Sequence, residues 1–263
     1  MDSSQNNQFF ASLFSGRQPH SIEYPTDEAA VEGMEEQKYV IDRLQDQLTS
    51  ELKNARTHGE PKSFKKAEKD AFNSFVSLLA SQEFKFVSPL PVNDEKFNSL
   101  VIGDISAGKT SIINRLFASG LETGIGDTTQ GVVLATAGES YAVWDSAGVN
   151  HDLMFYDQDS LNYIASVQCV VIVYSTALLT VEALVKVVNA IKGPGGFVCV
   201  RTKCDLYNPN KDQHTIDEEM DRDRAFLTSI DIDSNQVCFF RTAAEGPNEF
   251  DNQDLLSLLQ RTP

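Results

Sequence analysis

The residues with the clearest chemical content are 103–111, GDISAGKTS, directly behind the apolar run Ser99-Leu100-Val101-Ile102. They match GxxxxGK[ST] in full as Gly103-x4-Gly108-Lys109-Thr110. In such a loop the backbone N–H groups and the following helix N-terminus face phosphate oxygens, here across Gly103, Asp104, Ser106, Ala107, Gly108, Lys109, Thr110 and Ser111. Lys109 would span the β- and γ-phosphates, and the Thr110 hydroxyl would ligate Mg²⁺. The competing reading is a glycine-bearing turn that matches by chance. Placement between an apolar run and a helical pattern favours the phosphate loop.

Four further segments follow in order. Gly126-Asp127-Thr128-Thr129-Gln130 is a polar loop with paired threonines, of which Thr129 would reach Mg²⁺ when a triphosphate is bound. Trp144-Asp145-Ser146-Ala147-Gly148 reads DxxG: Asp145 would hold Mg²⁺ through water and the Gly148 N–H would sense the γ-phosphate. Thr202-Lys203-Cys204-Asp205 matches [NT]KxD, in which the carboxylate accepts hydrogen bonds from guanine N1 and N2 while the Lys203 stem packs on the base. A base with an amino group at position 6 would lose these bonds, so the pattern selects GTP over ATP. Thr242-Ala243-Ala244 offers a backbone N–H to guanine O6. Coincidence does not explain five ordered motifs, most at the ends of predicted strands. They imply a site for GTP or GDP with Mg²⁺.

Short apolar runs alternate with helical patterns in the part of the chain that carries these motifs. Strands are expected near 98–102, 131–137, 140–145, 168–175, 197–202 and 236–241, and helices over 109–118, 158–166, 180–191, 215–230 and 252–260. Such alternation predicts an α/β fold, a doubly wound, mostly parallel sheet with helices on both faces. The unbroken run Cys169–Val173 has the character of a central strand buried on both sides.

Upstream, residues 1–27 are polar and read as a flexible tail, interrupted by Phe9-Phe10 and Leu13-Phe14, an FFxxLF cluster spaced for docking, for a peripheral membrane contact or for packing on the body. Residues 28–96 form an N-terminal helical segment. One helix is expected from about 27 to 56, on Ile41, Leu44, Leu48, Leu52 and Ala55, and a second over 62–82, on Phe64, Ala71, Phe72, Phe75, Leu78 and Leu79. Residues 97–263 would be the nucleotide-binding domain.

Composition sets the remaining bounds. The 263 residues carry 22 Lys+Arg against 38 Asp+Glu, a formal charge of −16, which disfavours nucleic acid and anionic membranes as general partners. No apolar run is long enough to span a bilayer, and the start of the chain lacks the pattern of a signal peptide. The four cysteines, Cys169, Cys199, Cys204 and Cys238, show no metal-ligand spacing, and three lie in strand-like runs. They are expected to be reduced and structural, in a cytoplasmic protein.

The motif set resembles the translation-factor-related class of P-loop GTPases and, within it, the G domain of the immunity-related GTPases. The stretches that carry this are TGIGDTTQG (123–131), VWDSAGV (143–149) and FVCVRTKCD (197–205), over about 97–263; SAGKTS also resembles dynamin-like GTPases. The resemblance implies a P-loop GTPase G domain with an N-terminal helical extension, GTP hydrolysis, and nucleotide-dependent contacts between G domains. The chain departs from the larger members of the family, which continue into a helical domain after the G domain.

Catalytic parts are harder to read. Val149 stands where small signalling GTPases place a water-orienting Gln. No arginine lies between 116 and 200 to serve as a finger. Lys109, Thr129 and Gly148 are the catalytic candidates. Ser106 joins them, at a position where relatives recruit a monovalent cation such as K⁺, although it is equally readable as a satisfied loop hydroxyl. His151 is the only histidine near the expected γ-phosphate, and a loop histidine is more often simply solvated. Slow hydrolysis in a switch or self-assembling GTPase is the reading favoured. The alternative is a non-hydrolysing pseudo-GTPase scaffold that binds a protein partner through its N-terminal helices.

Overall fold

The computed structural model describes Tyr39 and residues 61–81, 95–123, 131–148, 158–206, 215–243 and 250–261. The tail 1–27, the first expected helix apart from the exposed, helical Tyr39, and Thr129, Val149, His151 and Ala244 lie outside the described residues.

Six strands form one sheet: β1 (Phe97–Gly103), β2 (Val132–Ala137), β3 (Tyr141–Ser146), β4 (Cys169–Tyr174), β5 (Phe197–Arg201) and β6 (Cys238–Arg241), in the order β2-β3-β1-β4-β5-β6. All pairs are parallel except β2 with β3, which are antiparallel with a register shift between Leu134 and Thr136. The expected strands are present, with ends displaced by one or two residues. Every residue of β1 and β4 is buried, as expected for strands with a neighbour on each side and helices on both faces.

The described helices are α1 (Pro61–Leu79), α2 (Lys109–Phe117), α3 (Gln158–Ser166), α4 (Glu182–Lys192), α5 (Ile216–Ser229) and α6 (Asn252–Leu259). Alternate strand residues divide the core in two. Leu100, Ile102, Trp144, Val170, Ile172 and Cys199 meet α3, α4 and α5 on one face. Val101, Val143, Val171, Val173, Val198 and Val200 meet α2 and α6 on the other. The fold is therefore a doubly wound α/β sheet. Of the apolar stripe expected for α1, the described Phe75 and Leu79 join the first core, with Leu79 only 1% exposed and Phe72, Val76 and Leu78 packed alongside.

Chain order reverses at β1. The path to β3 passes α2 on one face, and the crossover from β3 to β4 passes α3 on the other. In open α/β sheets the crevice at the carboxyl ends of the strands, beside such a reversal, is where ligands sit. The 103–108 loop leaves β1 at that point.

Candidate nucleotide site

Gly103 ends β1 because nothing larger fits: a Cβ there would lie 1.9 Å from the Val173 carbonyl oxygen on β4. The chain then turns tightly. The Asp104 carboxylate accepts from the Ile105 N–H at 2.8 Å, and the Asp104 carbonyl accepts from the Ala107 N–H at 3.2 Å. Ser106 (φ 57°) and Gly108 (φ 91°) take left-handed conformations, and α2 begins at Lys109 with its first N–H groups turned toward the loop. Lys109 is 7% exposed, and its Nζ donates to the carbonyls of Gly103 (3.2 Å) and Asp104 (2.9 Å). The ammonium is thereby fixed at the loop, with a helix N-terminus beside it, an arrangement that could take a polyanion.

The structure brings the distant motifs onto this loop. The Thr110 hydroxyl donates to Asp145 Oδ2 at 2.7 Å, and Asp145 is 1% exposed. A hydroxyl and a carboxylate are hard oxygen donors suited to Mg²⁺, so the residues present fit that ion. Immediately after Asp145-Ser146, the Ala147 N–H donates to the Gly131 carbonyl at 2.8 Å. Gly131 directly follows the paired-threonine loop, so the DxxG segment is tied to the end of that loop. Gly148, partly buried, is the last described residue of DxxG.

The TKCD segment follows β5. Thr202 is 5% exposed: its N–H donates to the Tyr174 carbonyl (2.9 Å), and its hydroxyl bonds the Ala107 carbonyl of the phosphate loop and, at 3.2 Å, the Tyr174 carbonyl. Lys203 is left-handed (φ 58°) and exposed, and Asp205 is exposed in the single turn Cys204–Leu206. Thr242, fully buried, gives its N–H (2.8 Å) and hydroxyl (3.1 Å) to the Arg201 carbonyl, and its own carbonyl accepts from the Cys204 N–H at 3.2 Å. Ala243 is buried, and its carbonyl accepts from Asn252 Nδ2 at 3.1 Å. Ser111 lies partly buried in the first turn of α2.

Thr202 thus acts as a latch between loops, a role the motif alone does not reveal. Sequence reading also passed over the groups behind it. Asp223 of α5 accepts from the Tyr174 hydroxyl (2.8 Å) and the Leu178 N–H (2.8 Å), and pairs with Arg201 Nη1 at 3.2 Å. Burial pushes the Asp223 carboxyl upward, against the pull of those donors. Arg241 grips Asp251 through Nε (3.0 Å) and Nη2 (3.1 Å) and Asp217 through Nη1 (2.8 Å). No spacing rule links an arginine at a strand end to carboxylates 10 to 24 residues away. A capping box, Thr215 with Glu218, starts α5, the helix that carries Asp217 and Asp223.

The four cysteines are free thiols, as expected, and burial raises Cys169 to about 12 and Cys238 to about 11. Among the described residues no group of three or more His, Cys, Asp or Glu is placed to hold a metal by itself, and no helix is long and apolar enough to cross a membrane.

No family model matches the sequence, and no curated protein matches it. Many solved structures do. One is a bacterial selenocysteine-specific elongation factor, 16% identical with a TM-score of 0.41, over 62% of this chain and 28% of that one. The match therefore spans less than a third of the elongation factor's length.

Proposed function

We propose that this chain binds guanine nucleotide with Mg²⁺ and hydrolyses GTP to GDP and phosphate. The observation that carries the reading is the chain of contacts among motifs far apart in sequence: Thr110 to Asp145, Ala147 to Gly131, Thr202 to Ala107 and Cys204 to Thr242. A chance GxxxxGKT turn has no reason to bond a DxxG carboxylate and a TKxD threonine at once.

In this reading Lys109 moves its donors from loop carbonyls to the β- and γ-phosphates, while loop N–H groups from Asp104 to Ser111 bind the α- and β-phosphates. Thr110 and Thr129, with Asp145 through water, would hold Mg²⁺, which would supply positive charge against the transferring phosphoryl group. Asp205 accepts from guanine N1 and N2, Lys203 covers the base, and the Ala243-Ala244 backbone meets O6. Water attacks the γ-phosphorus in line, the bond to the β,γ-bridging oxygen breaks, and the Gly148 N–H follows the γ-phosphate. Val149 cannot orient that water, so intrinsic turnover is slow, and a missing finger typically costs about 10³–10⁵ in rate. Resemblance to the immunity-related GTPases supports catalysis completed by a second G domain, in a switch or self-assembling protein. A monovalent cation held near Ser106 is the competing source of charge.

In the scaffold reading a partner would dock on N-terminal helical surface other than Phe72, Phe75, Val76, Leu78 and Leu79 of α1, which pack in the chain's own core. Single-turnover GTP hydrolysis in K⁺ and in Na⁺, at several protein concentrations, tests the proposal. A rate that climbs with concentration supports self-association. A rate lowered in Na⁺, and made ion-independent by Ser106→Ala, supports the cation. No turnover under any condition refutes hydrolysis.

A further inference from the structure

Arg201 and Arg241 end two adjacent parallel strands and are register partners. Each immediately precedes a threonine that opens one of the two base loops. Like charges side by side on neighbouring strands repel; α5 supplies opposing charge to both arginines, and Asp251 also holds Arg241. Asp217 takes Arg241 at 2.8 Å, Glu219 lies 3.6 Å from Arg201, and Asp223 takes Arg201 at 3.2 Å. Asp223 differs from the others in being 3% exposed and in holding three segments at once. It bonds the end of β4 through Tyr174, the turn after β4 through the Leu178 N–H, and the end of β5 through Arg201. All three partners are donors, so the site requires a group that only accepts.

The consequence runs forward along β5. Lys203 holds φ 58°, a left-handed conformation that costs a side-chain-bearing residue free energy and persists only where both neighbours are pinned. Behind it, Thr202 is fixed to the Tyr174 carbonyl; ahead, the Cys204 N–H is fixed to the Thr242 carbonyl. Release of Tyr174 and Arg201 would slacken the rear anchor. The left-handed lysine would relax, and Asp205, two residues on, would lose its aim.

We propose that Asp223 is a positioning residue for base selectivity: from α5 it locks the ends of β4 and β5 so that Asp205 is presented to the guanine edge. The inference rests on the guanine-site reading above. The perturbing variants are Asp223→Asn, which puts an amide donor among donors, and Arg201→Gln, which frees the end of β5 but leaves Asp223 with Tyr174 and Leu178. The control is Leu227→Val, which loosens the apolar side of the same helix without touching the polar network.

Affinities of the full chain for GDP and IDP, with Mg²⁺, are read by competition alongside melting temperature. Inosine lacks the 2-amino group, so the ratio reports one charge-assisted bond to Asp205. The wild type is expected to favour GDP by about 10–100-fold. In Asp223→Asn and Arg201→Gln the ratio should fall to about 3-fold or less, as that bond is lost. Leu227→Val should lower the melting temperature and keep the ratio. If Asp223→Asn does not fold, Arg201→Gln decides alone. A selective wild type whose folded variants keep its ratio, or a control that loses the ratio as they do, overturns the positioning role. A wild type indifferent between GDP and IDP overturns the guanine reading and this one with it.

Discussion

Replacing Thr202 by valine keeps the shape of a side chain that is 5% exposed and removes only its hydroxyl. That hydroxyl bonds the Ala107 carbonyl and lies 3.2 Å from the Tyr174 carbonyl. Tyr174 keeps the Thr202 N–H at 2.9 Å, so the loss falls on Ala107, a buried residue of the phosphate loop. Taking the partner from a buried acceptor costs about 1–3 kcal/mol. In a domain of this size each kcal/mol moves the midpoint by about 2–4 °C, so calorimetry should show a fall of roughly 2–12 °C. Because the loop slackens as a unit, GDP and GTP should weaken by the same factor, at most about 150-fold if the whole cost appears in binding. Thr202→Ser restores the hydroxyl and should recover most of both losses. Wild-type melting and wild-type affinity in Thr202→Val would refute the latch. A serine variant as defective as the valine one would place the effect in methyl packing.

Two further outcomes follow from the packing. Gly103→Ala sets a Cβ 1.9 Å from the Val173 oxygen and 2.8 Å from its carbon, both backbone atoms, so β1 and β4 must part; the variant should fail to fold or lose more than about 4 kcal/mol by denaturant titration. Lys192 donates to the Ala165 carbonyl at 2.7 Å and also bonds that of Val167, and burial lowers its pKa to about 8 against the raising influence of Cys169. Between pH 8 and 9 the unfolded chain therefore binds more protons at this position, so its contribution to stability rises with pH by about 1 kcal/mol. The raised thiols act in the opposite sense, so the comparison is wild type against Lys192→Met: their difference should shift toward the wild type as pH rises, and a pH-independent difference would refute the assignment.

The fold was legible because its signals are long and periodic. The six apolar runs are the six strands, and the apolar stripe of the second expected helix, where described, faces the core. The single turns 178–181, 194–196, 204–206 and 234–236 were not foreseen, since three or four residues cannot show a period. Two of them displaced expected boundaries: α4 starts at Glu182 after the first, and β6 starts at Cys238 after the last. In the candidate site, motif residues were identifiable by type and spacing. The hydrogen bonds among them were not, because Thr202 meets Ala107 only through strand order. Asp223 carries no motif, and Arg201 and Arg241 lead theirs without a role that spacing assigns; only their ion pairs with Asp217, Asp223 and Asp251 in the folded chain give them one.

The central claim, a site built for guanine, is tested most directly by nucleotide competition against the wild type and Asp205→Asn. With Mg²⁺ present, the wild type should prefer GTP and GDP over ATP by on the order of 100-fold or more, because the Asp205 carboxylate accepts from guanine N1 and N2 and adenine offers it no such pair of donors. The amide in Asp205→Asn offers a donor where the carboxylate accepted from N1 and N2. The variant should lose guanine affinity and bind xanthine nucleotides, which carry oxygen at position 2, in preference. A wild type that binds ATP as well as GTP, or an Asp205→Asn variant that keeps full GTP affinity, would contradict the account.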